Sequence, residues 1–250
     1  MPPPEDSPAT LDLAHPRTVA EILLTSLRLF VRYPLLFLAL ALLVVGPYDL
    51  LILGVSGASP LGQQNTSAYT ALLLALLDFA LVGPLVSALQ VHAVLDIGEG
   101  GRPRLLELLG RGLRVLPVVA AAEIIAGIAI GIGLILLIIP GIILAIRFAV
   151  VAQVAAVERT DWPGAIRRSG RLVAGNYLRV FSLLFIVTLV DLLLVDVIGK
   201  VAGTSASAPE VVLGIAIGVL VRTFQAITTA VLYFDLRARE NALSSSAPRV

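Results

Sequence analysis

The sequence predicts an all-α protein that crosses a membrane six times. Hydrophobic residues make up 58% of the chain and charged residues 14%, whereas soluble domains carry about 25% charged residues. The apolar residues are gathered in six long runs, and a helix that spans a bilayer needs about 20 of them in succession. Arginines are concentrated between alternate runs, a pattern typical of membrane proteins. These three observations indicate that lipid, not water, surrounds most of the chain.

Each run predicts one transmembrane helix. Lipid offers the backbone no hydrogen-bond partner, so spanning segments are helices or closed barrels. A barrel needs segments of alternating hydrophobicity, and these runs do not alternate. Pro140 and the glycine after it predict the turn between the third and fourth spans, and Pro47 and Pro84 predict helix kinks. The predicted spans are 34–55, 69–96, 115–138, 141–158, 177–199 and 209–234.

The arginines predict the orientation. Four lie in the linker 97–114 and four in the linker 159–176, whereas Lys200 is the only basic residue of the connections on the other side. Because positively charged loops stay in the cytoplasm, we expect both termini and the two arginine-rich linkers to be cytoplasmic. Heavy use of Arg, Ala, Leu and Val is typical of GC-rich bacterial genes, so the expected location is a bacterial inner membrane.

An amphipathic segment precedes the first, third and fifth spans. The segments "TVAEILLTSLRLFVRYP", "PRLLELLGRGLRVLP" and "WPGAIRRSGRLVAGNYLRVF" each separate apolar side chains from arginines at helical spacing, which predicts interfacial helices. The order of interfacial helix, span, outer turn and span therefore occurs three times, as three hairpins. "QVHAV" at 90–94 and "QVAAV" at 153–157 support this internal repeat. The expected units are 17–97, 102–158 and 162–240, between disordered tails at 1–16 and 241–250.

Charged residues inside the spans are the first candidates for a functional role, because a charge at a helix centre costs about 2.5–3.5 kcal/mol on insertion scales. At 1.5 Å per residue, Arg147 and Asp191 come to one depth, and Glu123 and Arg222 to another. We therefore expect Arg147 to pair with Asp191 or Asp78, and Arg222 to pair with Glu123. Such pairs either lock the bundle together or line a conduit for an ion, a proton or an anionic headgroup; alternatively, Arg147 snorkels to the outer interface. The seven candidates are Asp49, Asp78, Glu123, Arg147, Asp191, Asp196 and Arg222.

A repeated glycine motif predicts close helix packing. "GIAIG" places Gly127 and Gly131 four residues apart on one helix face, and a second copy does the same with Gly214 and Gly218. Small residues at this spacing let two backbones approach closely. We expect a tight contact between spans three and six, or a homo-oligomer interface.

The third amphipathic segment is the candidate for lipid binding. Its arginines Arg167, Arg168 and Arg171 lie at the expected cytoplasmic surface. Each can gain about 1 kcal/mol from anionic lipid. The positive-inside orientation of the chain is enough by itself to explain why arginines occur here. Binding of a phospholipid headgroup is the more specific alternative.

Part of the chain resembles a known family. The resemblance lies in 134–181 and in the closing "LYFDLRAR", and rests on Pro140-Gly141, Arg147, Glu158, Ala165, Arg168-Ser169, Arg171-Leu172-Val173, Gly175 and Arg179. These residues resemble the membrane domain associated with bacterial glycerophosphoryl diester phosphodiesterases and related uncharacterised six-span proteins. The resemblance implies the fold and the topology. It does not imply hydrolase activity, which would need a soluble domain with paired histidines and metal-binding carboxylates, and we expect no such domain here.

Composition and motifs favour a protein without catalytic activity. The chain has no cysteine and only two histidines, His15 and His92, which argues against thiolate chemistry and metal centres. The common hydrolase, metalloprotease and phosphate-binding motifs are absent, and a net charge of +1 indicates no nucleic-acid partner. We expect no cofactor and no metal. The favoured hypothesis is a membrane scaffold or interaction protein with anionic-lipid contacts. Its further partner would be another membrane protein or a second copy of the chain. The alternative is a small transporter or channel, and a membrane-embedded lipid enzyme is a more remote third hypothesis.

Overall fold

The computed structural model describes residues 13, 15–56, 67–201 and 208–246. Throughout these ranges the regular structure is helical, with no strand. Six stretches are long and apolar enough to cross a membrane, so the predictions of an all-α fold and of six transmembrane helices are confirmed. The stretches are Pro34–Val55, Ala68–Gly98, Leu105–Leu136, Ile138–Val157, Tyr177–Leu194 and Val212–Ser245.

Short connections join most of the helices, and a π-helical turn at Asp78–Val82 joins the third helix directly to the fourth. Pro84 follows this turn, and because proline has no N–H it removes one hydrogen bond of the regular ladder. The helices in the described ranges are α1 (Val19–Arg32), α2 (Pro34–Ser56), α3 (Ala68–Leu77), α4 (Gly83–Gly98), α5 (Leu105–Leu136), α6 (Ile138–Arg147), α7 (Val151–Val157), α8 (Trp162–Val173), α9 (Tyr177–Val201) and α10 (Ala208–Ser246).

A capping box starts α1. The Thr18 hydroxyl accepts a hydrogen bond from the Glu21 backbone N–H at 3.2 Å, and the Glu21 carboxylate accepts one from the Thr18 backbone N–H at 2.6 Å. This backbone hydrogen bond lowers the pKa of Glu21, since it stabilises the ionised form. Two orphan N–H groups of the first turn are thereby satisfied, and α1 packs Ile22 and Leu29 into the core.

The second amphipathic segment is not a separate helix. It continues without a break into the third span as α5, with Pro117 inside the helix. Gly110, Gly112 and Pro117 are all accommodated inside this one helix, so the predicted boundary near residue 114 is wrong.

The fourth span begins earlier than predicted and is broken. The chain reverses at Leu137, the one residue between α5 and α6. Pro140 is in the first turn of α6, where no backbone N–H is required, so the predicted turn at Pro140 is wrong by three residues. The helices approach so closely that a Cβ at Gly133 would lie 2.9 Å from the Cα of Gly141. The span is interrupted again between α6 and α7 at 148–150.

The C-terminal part of the chain differs from the prediction. Helix α10 continues through Ser246, so the expectation of a disordered tail from residue 241 is wrong as far as that residue, and 247–250 lie outside the described ranges. Most of the predicted tail at 1–16 also lies outside them. Leu13 is described and packs against the core beside Gly98.

The core lies where the even-numbered spans end. Its most buried segments are the end of α4, most of α7 and the middle of α10, around Gln90, Gln153 and Tyr233, which are at most 2% exposed. The first two segments are the matching "QVHAV" and "QVAAV" sequences. Several arginines surround the adjoining end of the bundle, which we call the basic end: Arg17, Arg111, Arg168, Arg179 and Arg239.

The close contact between α5 and α6 gives a test of the fold. Replacing Gly133→Ala forces the backbones apart, and overpacking of this kind costs about 1–3 kcal/mol. We expect a lower melting temperature for the purified protein in lipid nanodiscs. The matched control is Gly131→Ala on the same helix, where a Cβ meets no atom within 4 Å; its melting temperature should be unchanged or slightly raised. Equal effects of the two substitutions would contradict the α5–α6 packing.

Candidate functional site

A cavity of about 870 Å³ occupies the half of the bundle away from the basic end. Its walls come from α2, the junction of α3 with α4, α9 and α10. We call it the acidic cavity, because its charged lining in the described ranges consists of three carboxylates and one guanidinium: Asp49, Asp78, Asp191 and Arg222. If all four groups are ionised, the cavity has an excess of two negative charges.

Arg222 of α10 is paired with Asp78 of the π-helical turn. Its Nη1 donates to Oδ1 of Asp78 at 2.6 Å, and both side chains are about one-third exposed. The predicted pairing of Arg222 with Glu123 is therefore wrong. The π-helical turn begins at Asp78, and such turns are frequent at functional sites.

Asp49 and Asp191 also line the acidic cavity, and neither forms an ion pair with another described residue. Asp49 is only 6% exposed, and within the described ranges it accepts no hydrogen bond, although Arg222 and Asp78 both act on it electrostatically. The adjoining Tyr48 donates its hydroxyl to the carbonyl of Leu74 at 3.0 Å and thereby fixes this wall. The side chain of Asp196, another candidate from the sequence, lies outside the described part of the structure.

Arg147 lies outside the acidic cavity. It is the last residue of α6, and its carbonyl accepts a hydrogen bond from the Ser169 hydroxyl of α8 at 2.9 Å. Its side chain covers Gly170, where a Cβ would lie 2.7 Å from Nε. Among the described residues no ion pair joins Arg147 to Asp191 or Asp78, so the predicted pairing is wrong. Depth counting gives the height of a residue along its helix but not the side of the helix that it faces.

Glu123 lines a second, smaller cavity of about 270 Å³, which we call the Glu123 cavity. The lining includes three neutral polar side chains from three other helices, Ser87, Gln153 and Thr229. No arginine or lysine is among its described lining residues. Reasoning from charged residues alone missed these three neutral groups, although the repeated glutamine of "QVHAV" and "QVAAV" was a signal for Gln153.

The glycine motifs do not join spans three and six. The ring of Phe79 covers Gly127 so closely that a Cβ would not fit, whereas a Cβ at Gly131 or Gly218 would meet no atom within 4 Å. Gly214 lines the acidic cavity. The predicted contact between the two motifs is therefore wrong, and the predicted homo-oligomer interface stays a prediction.

At the basic end, Arg168 of α8 connects three helices. Its Nε donates to Glu158 at 2.8 Å, while Nη1 and Nη2 donate to Glu240 of α10 at 2.5 and 2.6 Å. Tyr233 donates its hydroxyl to the second oxygen of Glu158 at 3.1 Å. The hydrogen bonds to Glu240 and Glu158 raise the pKa of Arg168. Because both its edges are engaged, Arg168 is not available to a lipid headgroup, whereas its neighbours Arg167 and Arg171 are exposed.

The backbone N–H and carbonyl of Arg17 connect the beginning of α1 to α10. Its N–H donates to Asp235 of α10. Its carbonyl accepts from Arg179 at 2.5 Å and from Arg239 at 2.6 Å. Arg239 also donates to Asp235 at 2.9 Å. The beginning of α1 is thus attached to both α9 and α10.

Asp96, at the end of α4, completes the set of paired acids. It binds Arg111 of α5 through two hydrogen bonds, of which Nη1 to Oδ1 measures 2.8 Å. Asp96 lies in the last turn of the second span and Glu158 directly follows the fourth, whereas Asp235 lies inside α10, directly after the end predicted for the sixth span at residue 234. In each case a basic segment docks on the carboxylate. Their matching positions in the predicted units are visible in the sequence, whereas the identity of each partner is not.

The described residues contain no group of three or more histidines and carboxylates that could hold a metal ion. No known family model matches the chain, and neither a curated protein nor a solved structure is significantly similar to it.

A double-mutant cycle tests the pairing inside the span region. We expect Arg222→Gln and Asp78→Asn to show a coupling of about 1–3 kcal/mol, since the two groups share an ion pair. The matched control is the cycle of Arg147→Gln with Asp191→Asn, which should be additive within about 0.5 kcal/mol. The measurement is the unfolding free energy in mixed micelles. Coupling in the control pair but not in the first would contradict the structure.

A second comparison tests the basic end. Arg168→Gln should lower the unfolding free energy by about 1–3 kcal/mol, because it leaves two partly buried carboxylates without a cation. Arg167→Gln, one position away and exposed, should change it by less than about 0.5 kcal/mol. Thermal unfolding of both variants in the same detergent is the measurement. Indistinguishable melting curves would show that Arg168 does not hold α8 to α10.

Proposed function

We propose that this chain is a solute-binding protein of the bacterial inner membrane, of the transporter or channel class, and that its acidic cavity binds a small cationic solute. The observation that carries the proposal is the unbalanced charge of this cavity. Three carboxylates and one guanidinium line a volume of about 870 Å³. Asp49 is only 6% exposed and has no ion-pair partner among the described residues.

The energy of charges in a membrane supports a cation as the ligand. A carboxylate within the hydrocarbon region is costly unless it is paired, protonated or in contact with water. Arg222 neutralises one of the three carboxylates, and Asp78 already binds it at 2.6 Å. An amine or another small cation would supply the missing positive charge to Asp49 and Asp191.

The unpaired interior favours this role over the scaffold hypothesis. A pure scaffold is best served by a dry interior in which every charge has its partner. Here Asp49, Asp191 and Glu123 have no basic partner in the described part of the chain, and two cavities adjoin them. Contacts with anionic lipid remain compatible with a transport role, through the exposed Arg167 and Arg171.

The orientation that we propose follows from the arginines. With the basic end in the cytoplasm, both termini are cytoplasmic and α1, α8 and the beginning of α5 lie at the inner surface as amphipathic interfacial elements. The chain is then a threefold repeat of hairpins. The acidic cavity comes to lie in the outer half of the membrane, where it can receive a solute from outside the cell.

Cysteine labelling tests both the water access and the orientation, because the chain has no cysteine of its own. Gly218→Cys places a thiol in the acidic cavity, at a position with free space for a Cβ. We expect a cationic, membrane-impermeant methanethiosulfonate reagent to label it in intact cells, because a charged cavity holds water. Putrescine or choline in excess should slow the labelling if the cavity takes a cationic solute.

The matched control is Leu220→Cys, two residues further along α10. Leu220 lines an apolar groove between helices instead of the acidic cavity, so it should stay unlabelled. Protection of Gly218→Cys from the reagent on both sides of the membrane would favour a dry scaffold and overturn the proposal. Labelling only in inverted vesicles would overturn the orientation, and labelling insensitive to every amine would overturn the cationic solute.

A further inference from the structure

The Glu123 cavity brings together oxygen-bearing side chains from four helices. Ser87 comes from α4, Glu123 from α5, Gln153 from α7 and Thr229 from α10. The Ser87 hydroxyl lies within reach of the Glu123 carboxylate. Four separate elements of the fold thus deliver one carboxylate, one amide and two hydroxyl groups to a space of about 270 Å³.

The amide of Gln153 is oriented so that its oxygen lacks a partner. Nε2 donates to Oγ1 of Thr229 at 3.0 Å. Thr229 itself donates to a backbone carbonyl of its own helix, Gln225 or Ala226, at 3.1 Å. With its proton given to that carbonyl, the hydroxyl accepts from Gln153, so the amide nitrogen faces Thr229 in this structure. The remaining atom, Oε1, is buried without a hydrogen-bond partner in a residue that is 2% exposed.

A buried acceptor without a donor costs about 1–3 kcal/mol, and an unpaired carboxylate in the hydrocarbon region costs more. Both penalties apply at the Glu123 cavity, because Glu123 and Gln153 both line it. No basic residue is among its described lining residues. A positively charged species between the Glu123 carboxylate and Oε1 of Gln153 would relieve both at once.

The broken fourth span places two helix ends at this cavity. Helix α6 ends at Arg147 and α7 begins at Val151, and Phe148, Ala149 and Val151 line the Glu123 cavity. The end of α6 carries a partial negative charge and the beginning of α7 a partial positive one. Interrupted helices of this type offer backbone carbonyls to small cations in other membrane proteins.

We propose that the Glu123 cavity is a binding site for a monovalent cation, Na⁺, held by the Glu123 carboxylate and Oε1 of Gln153, with the Ser87 hydroxyl as a further ligand. Oxygen ligands suit a hard cation. A single positive charge balances the single carboxylate, whereas a divalent ion would leave a net charge within the membrane. A proton on Glu123 would also remove this charge, and ²²Na⁺ binding distinguishes the two occupants.

Phe79 separates this site from the acidic cavity. The ring lines both cavities and sits on the π-helical turn, packed against Gly127. The Na⁺ site is therefore a neighbour of the proposed solute site, not a part of it. Its existence does not depend on whether the acidic cavity binds a solute.

Equilibrium binding of ²²Na⁺ to the purified full-length protein in nanodiscs tests the proposal. We expect saturable binding, and a rise of the melting temperature with NaCl that choline chloride at equal ionic strength does not produce. Glu123→Gln should abolish the binding. Gln153→Leu should weaken it by about tenfold or more, a loss usual when a metal site loses a contact.

Two variants serve as matched controls. Gln90 has the same position in the repeat as Gln153, is also buried, and also has an unpartnered Oε1, but its Nε2 donates to the carbonyl of Phe37 and it does not line the Glu123 cavity. Gln90→Leu should therefore keep the ²²Na⁺ affinity of the wild type. Asp191→Asn should also keep it, which separates this site from the acidic cavity.

The other outcomes overturn the proposal. Absence of saturable ²²Na⁺ binding to the wild-type protein would do so directly, even where the variants fail to fold. If Na⁺ is not bound and the carbonyl stretch of a protonated Glu123 is seen by infrared spectroscopy, the site carries a proton instead. An equal loss of affinity in Gln90→Leu and Gln153→Leu would show that a general packing effect, not a ligand, was measured.

Discussion

Three carboxylates that pair with basic segments, two at the ends of spans and one inside α10, hold the helices together at the basic end. Asp96 binds Arg111, Glu158 binds Arg168, and Asp235 binds the backbone of Arg17. The first two pairs attach the end of a span to the helix that follows it in the chain. The third attaches α10 to the beginning of α1, the last and the first helix of the described ranges. Without these pairs, acids adjacent to the hydrocarbon region would be costly.

This constraint divides the molecule into two unlike halves. The basic end adjoins a closely packed core, in which Leu89, Val154 and Tyr233 have at most 1% of their surface exposed. The half away from it contains the acidic cavity, which Asp49 and Asp191 line. Close packing at the basic end anchors the helices, while in the other half the carboxylates of Asp49 and Asp191 face an open cavity without an ion-pair partner in the described ranges. Polar groups left in this state are typical of binding sites, because a ligand can complete them.

The sequence predicted the number and type of the elements well, because runs of about 20 apolar residues leave a backbone in lipid little choice but the helix. It did not predict how the charges pair. Counting residues placed Arg222 level with Glu123, yet Arg222 faces Asp78, since small differences in helix rotation decide which neighbour a side chain meets. The broken fourth span was also missed, because hydropathy alone does not register an interruption at 148–150.

The matching sequences at 90–94 and 153–157 show how one polar residue can serve two different purposes. Gln90 and Gln153 occupy matching positions, and each donates its amide to a neighbouring helix, to Phe37 in one unit and to Thr229 in the other. In the first unit the amide oxygen ends in the packed core. In the second, the break between α6 and α7 leaves space beside it, and Glu123 of α5 lines that space. One polar position thus serves packing in one unit, and in the other it can take up the additional role of a ligand.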